Sequence, residues 1–208
     1  MSTPDATPRP PTAVISRKGV DRVRAGHPWI YRSDVTDFHA DPGEVVEVRD
    51  SRGALLGRAL SSDQSQITLR MLTRDATPVD RDFWRNRLAA AIAVRARLAL
   101  DATAVRLVHG EADLLPSLIV DRYDDVLVVQ TLSQGTDAHR ELIVDVLVEL
   151  LQPRGVLLRN DPKVRTLEGL PQEVVLAYGE VPEQVEVREG PVTYVVDPWH
   201  GQKTGLFL

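Results

Sequence analysis

At 208 residues, with 43% hydrophobic and 26% charged side chains, the chain has the composition of a soluble globular protein with room for one large domain or two small ones. That excludes a fibrous repeat or wholesale disorder. A net charge of -5 argues against nonspecific polyanion binding by the whole surface, and the lack of any cysteine excludes disulfides, thiolate metal sites and thiol nucleophiles among these residues.

Residues 1–11 hold four prolines and no large hydrophobe except Met1, so they read as a disordered tail with no apolar core of a signal peptide. From Ala13 the pattern becomes short apolar runs broken by turn residues: AVIS, PWIY, EVVEVRD, GALLGRALS and QITLRML. Val46 and Val48 alternate with Glu47 and Arg49, the period of two expected of a half-buried strand. Turns fall at Asp41-Pro42-Gly43 and Arg52-Gly53. A small β-barrel ending near Arg74 is predicted.

Asp80 to Leu100 changes to helical spacing, with Trp84, Leu88, Ala91, Ile92 and Leu98 near one face and Asp80 or Asp82 placed to cap it. Strands follow at VRLVH, SLIVDRY and DVLVVQT, then a helix over 137–151 striped by Leu142, Ile143, Val146, Leu147 and Leu150. Pro153 and Gly155 end it, and GVLLR makes a short strand running into Asn160-Asp161-Pro162. Further on, VEVREG and PVTYVVD form a hairpin through Glu189-Gly190. The fold class predicted is mixed α/β: an N-terminal barrel over 12–76, an α+β middle domain over 77–182, and a C-terminal hairpin opening the segment 183–208. No apolar run reaches the about 18 to 20 residues that cross a bilayer, so the cytoplasm is the default location.

Charge is uneven along this order. From Thr12 to Arg74 there are 10 Lys or Arg against 8 Asp or Glu, and from Asp75 onward 14 against 21. Only the first segment suits nucleic acid. Within it, Arg17, Lys18, Arg22, Arg24 and Arg32 surround His27 and Trp29. Cations beside aromatics suit a phosphate backbone and unstacked bases. The alternative, equally weighted on local residues, is that Trp29 and Ile30 are core and the arginines only solubilise the surface.

Glu111, Asp113, Asp121, Asp124 and Asp125 flank the strand SLIVDRY. They read more readily as acidic turn residues than as an acid/base pair or a cation site. No pair of histidines has metal-binding spacing, so no metal site is proposed. HGQKTG near the end is not a phosphate-binding loop, because Gln202 rather than glycine precedes Lys203 and Val196 stands where the earlier glycine is needed.

Taken together, GHPWIYRSDV, EADLLPSLIVDRYDD, RNDPKVRTLEGL and GQKTGLFL resemble, in order and spacing, the large-subunit ribosomal RNA cytosine-5 methyltransferases that carry an N-terminal PUA domain. Family members usually show glycines where this chain has Leu114 and Ser117. The resemblance implies a PUA-like RNA-binding domain whose candidate contacts are Arg17, Lys18, Arg22, Arg24, His27, Trp29 and Arg32. It implies ribosomal RNA as partner and S-adenosylmethionine as cofactor of the complete family protein, with Lys203, Thr204 and Gly205 near the pocket. In the family, GQKTGLFL leads into a Rossmann-like domain holding the cofactor loop and the catalytic cysteine. The chain is therefore expected to stop short of catalysis, with no catalytic residue and no cofactor bound by these residues alone. The apolar side chains of the last segment, Trp199 among them, are expected to lie uncovered and frayed. A homodimer is compatible with the sequence, and a free-standing RNA-binding module is the competing reading. A metabolic enzyme built on the carboxylates around Asp113 and Asp121 ranks below both.

Overall fold

The computed structural model describes residues 11–201; Met1 to Pro10 of the proposed tail, and Lys203, Thr204, Gly205, Leu206 and Phe207, lie outside them. The chain begins with strand β1 (Thr12–Ile15), helix α1 (Arg17–Arg24), β2 (Trp29–Tyr31), β3 (Val35–His39), β4 (Val45–Asp50), β5 (Leu55–Ser61) and β6 (Ile67–Met71). These strands form one six-stranded sheet in the order β2-β6-β5-β4-β1-β3. Laid flat, its outer strands would stand about 24 Å apart at the usual strand spacing. They are joined by the single 3-10 turn Arg32–Asp34, which spans at most about 14 Å, so the sheet must curl. Ala13, Ile15, Ile30, Val46, Val48, Ala59, Leu69 and Met71 line its interior with Val20 and Val23 of α1.

Two of these elements escaped the sequence reading. Helix α1 is short, and four of its eight residues are basic, which masks the apolar pair Val20 and Val23 that seats it. It starts because the Ser16 hydroxyl accepts from the Gly19 N–H at 3.2 Å, an N-cap bond. Strand β3 has only half-buried apolar residues and pairs with β1 as the sheet's edge.

The second half comprises α2 (Arg81–Arg97), β7 (Ala104–His109), β8 (Leu118–Tyr123), β9 (Val126–Thr131), α3 (Gln134–Ala138), α4 (Arg140–Leu151), β10 (Gly155–Asn160), β11 (Glu173–Gly179), β12 (Val185–Glu189) and β13 (Val192–Val196). Asp80 caps α2 by accepting from Phe83 N–H at 3.0 Å. Leu98, counted on its apolar face, is 59% exposed beyond the helix end. The single helix expected over 137–151 is two, broken at His139. Strand β11 was missed because it is an edge strand exposed along nearly its whole length, so no burial pattern marks it.

The five-stranded sheet runs β11-β10-β9-β8-β7. Only β9 and β10 are parallel, joined by the α3–α4 crossover; both are buried along their length, as parallel strands covered on both faces are. Helices α2 and α4 cover one face and the β12–β13 hairpin the other. No helix among the described residues is long and apolar enough to cross a membrane.

The expectation that Trp199 lies uncovered is corrected. Its indole N–H donates to the Val181 carbonyl at 3.0 Å and its ring packs on the hairpin core. Buried Arg159 donates to the carbonyls of Pro198 at 2.6 Å and Gly201 at 3.2 Å. An arginine inside the preceding strand run thus fastens the segment, whose backbone turns on Asp197. Val192 and Tyr194 do remain exposed.

The two sheets meet through a polar and an apolar contact. Arg70 of β6 pairs with Glu168 at 2.6 Å, both almost wholly buried, and the other Glu168 carboxylate oxygen accepts from Gln134 N–H at 3.3 Å. Gln134 exchanges two hydrogen bonds with Asp63. Beside them Gly135 lies so close to Leu60 that a Cβ there would stand 2.4 Å from the Leu60 Cβ. Leu60 and Leu72 belong to the same core as α2 and α4.

Removing one partner of a buried pair leaves the other charge unpaired, at a cost of about 3 to 5 kcal/mol. Glu168→Ala should lower the unfolding free energy by about that amount in urea titration. Arg70→Met combined with Glu168→Leu should recover most of it. A Glu168→Ala loss below about 1 kcal/mol would show that the pair does not hold the sheets together.

Candidate nucleic-acid interface

At 100° per residue, the buried side of α1 is Gly19, Val20 and Val23. Lys18 and Arg22 then fall on one flank, Arg17 and Arg24 on the other, and Asp21 between them. The candidate residues divide into two groups. Arg17, Lys18 and Arg24 are exposed and form no ion pair among the described residues. Arg24 faces the β4–β5 turn, where the Ala54 and Arg52 backbone N–H groups, followed by the charge of Arg24, hold Asp50 below the ordinary carboxylate range.

The remaining candidates have structural partners. Arg22 pairs with buried Asp34 at 2.5 Å and lies over the Tyr31 ring, 5.4 Å from its centroid. Arg32 donates to the carbonyls of Asp63 and Ser65 and so ties down the β5–β6 turn. The His27 ring Nδ1 lies 3.1 Å from the Trp29 N–H and 3.0 Å from its carbonyl. The Trp29 indole N–H donates to Glu111 at 2.8 Å, across to the second sheet. Tyr31 was not singled out from sequence although it stands in the same word, PWIY. Arg74 was missed too; its guanidinium donates to the Val23 carbonyl at the end of α1.

The acidic cluster is occupied by arginines. Asp113 binds both terminal nitrogens of Arg95 and the His109 backbone N–H. Burial alone would raise its pKa, but these bonds outweigh burial and hold it below the ordinary 3.8. Asp121 makes a two-pronged pair with Arg106 at 2.8 and 2.9 Å. Among the described residues no three His, Asp or Glu side chains converge as metal ligands would.

Leu114 and Ser117 take φ values of 57° and 63°, the left-handed region that glycine adopts without strain. The turn between β7 and β8 therefore has the geometry that glycines would favour, realised with side chains in place. Leu114 is 57% exposed, so it loses little packing if replaced. Leu114→Gly should raise the unfolding free energy by about 0.5 kcal/mol, the relief of left-handed strain exceeding the added chain entropy. Leu114→Val should lower it by about 1 to 2 kcal/mol, because a β-branched residue tolerates positive φ worst. Thermal melts giving the opposite order would contradict this.

Comparison with known proteins assigns the first sheet. Residues 14–74 match the PUA-like domain family. Over its length the chain is 40% identical to the ribosomal RNA large subunit methyltransferase I of Aliivibrio fischeri, across 94% of this chain and 51% of that protein. It is 40% identical to the protein of that name from Shewanella amazonensis, across 92% and 49%. The chain spans about half the length of the curated relatives it matches. Two solved structures share the fold at 18% identity. A protein from Streptococcus mutans assigned as a SAM-dependent methyltransferase aligns with a TM-score of 0.76, covering 91% of this chain and 49% of that one. Another, assigned as a methyltransferase and complexed with SAH, aligns at 0.78, covering 92% and 49%.

Proposed function

We propose that this chain is the RNA-binding and substrate-positioning part of an S-adenosylmethionine-dependent methyltransferase of 23S ribosomal RNA, with carbon-5 of a cytosine as the target. The observation that carries the reading is a PUA-like domain whose helix α1 presents Arg17, Lys18 and Arg24 to solvent without ion-pair partners among the described residues. The relatives, named as ribosomal RNA large subunit methyltransferases, supply the substrate class. Arg22, Arg32, His27 and Trp29 belong to this reading as the support of that surface. Lys203, Thr204 and Gly205, outside the described residues, remain candidates for the cofactor side by resemblance.

Carbon-5 of cytosine is a weak nucleophile that a thiolate added at carbon-6 activates. These residues contain no cysteine, so their part is to bind and orient RNA. S-adenosylmethionine would supply the methyl group, but the described residues do not fit it. The carboxyl ends of parallel strands are where α/β sheets receive nucleotides. At the ends of β9 and β10, buried Arg165 fills that place, bonded to Asp137 at 2.8 Å and to the carbonyls of Thr131 and Pro171.

Binding of ribosomal RNA fragments should weaken steeply with salt, log K falling by about 0.7 to 0.9 per phosphate contact for each roughly tenfold rise in salt. Reversing Arg17, Lys18 and Arg24 together should cost on the order of tenfold or more at 0.1 M salt, while reversing exposed Arg97 on α2 should not. Absent or salt-independent binding would refute the reading.

Titration calorimetry of the same protein with S-adenosylmethionine should detect no binding. A micromolar dissociation constant, about -8 kcal/mol, would show that a cofactor site exists on these residues.

A further inference from the structure

We propose that His27, Trp29, Tyr31 and Arg22 form a stacking site for one unpaired nucleobase, with Lys18 receiving a neighbouring phosphate; this rests on the RNA-binding reading above. Strand β2 pairs only with β6 and is an edge of its sheet. Its middle residue, Ile30, is 1% exposed and points into the core, while Trp29 and Tyr31 on either side are only half-buried. The His27 ring lies 6.0 Å from Trp29 and 6.1 Å from Tyr31, so the three rings share one side of the strand. Arg22 extends the same surface with a planar guanidinium over Tyr31, and its side chain keeps 35% exposure.

Three of the four members are held by hydrogen bonds or an ion pair before any ligand arrives. Trp29 is fixed by Glu111, His27 by the Trp29 backbone, and Arg22 by Asp34. Because Asp34 neutralises Arg22, the cluster offers aromatic and guanidinium surface with little net charge, its rings inclined to one another at 71° and 51°. That suits a base, and a phosphate would be better served elsewhere. Lys18 lies one helical turn from Arg22 on the same flank of α1 and is not paired among the described residues. A base on this cluster thus has the Lys18 cation one helical turn from Arg22. A paired base cannot offer its face, so the site selects single-stranded RNA or a flipped-out nucleotide.

Stacking and phosphate contact differ in their response to salt, and this separates the proposal from general RNA binding. The probe is a single-stranded 12-nucleotide RNA with a central 2-aminopurine, compared with a hairpin in which the 2-aminopurine is paired. Binding to the full chain should quench emission of the single strand and leave the hairpin unchanged. Tyr31→Leu should weaken single-strand binding about 5- to 100-fold with the same salt slope, and Tyr31→Phe should bind as the parent does. Lys18→Gln should reduce the slope by about 0.7. Thermal melts confirm that each variant is folded; if Tyr31→Leu is not, the quench in the parent decides alone. Salt-dependent binding without quenching, or unaffected by a folded Tyr31→Leu variant, would overturn the stacking site and leave the RNA-binding reading intact. No salt-dependent binding by the parent would overturn both.

Discussion

The ion pair between Arg70 and Glu168 is where the two halves of this protein become one body. The two residues are 98 positions apart in sequence, and their charged groups meet at 2.6 Å inside the structure. A buried charge without a partner is costly, so each half is incomplete without the other. The carboxylate also receives the Gln134 N–H, and Gln134 begins the helix whose Gly135 lies against Leu60. Polar specificity and tight apolar approach therefore coincide at one place. A second tie, from Trp29 to Glu111, fixes the rotation that a single contact would leave free.

This rigidity matters to the surface that carries α1. On the proposed RNA-binding reading, a PUA-like unit bonded at several points to the second sheet would hold RNA in a fixed frame, which a flexible link would not. Of the cations grouped around His27 and Trp29, Arg22 and Arg32 have partners within the fold, and Arg17, Lys18 and Arg24 stay exposed. Arg22 on Asp34 and Arg32 on two carbonyls shape the fold. Arg17, Lys18 and Arg24 do not.

The same distinction governs the second half. Its carboxylates look abundant enough for chemistry, yet Asp113, Asp121 and Asp137 are each taken by an arginine. Arg165 in particular has no solvent-exposed side-chain surface and occupies the strand ends where a ligand would otherwise enter.

Much of this was legible from the chain itself. Alternation in Val45–Asp50, the helical stripe of Trp84, Leu88 and Ala91, and the apolar runs of β8 to β10 fix element type through burial on defined faces, and burial leaves a period in the sequence. The mixed α/β class followed from their order. Elements with weak or unusual burial left no such period. Helix α1 seats on two valines among cations, β3 is a half-buried edge, and β11 has exposed residues on most of its length. Partner choice was equally hidden, because which arginine meets which carboxylate depends on contacts between residues far apart in sequence. Composition could place Arg17 to Arg32 and Trp29 in one word, but only the folded chain could separate the paired from the unpaired. The reason is that charge and hydropathy are properties of single residues, whereas desolvation and pairing are properties of places.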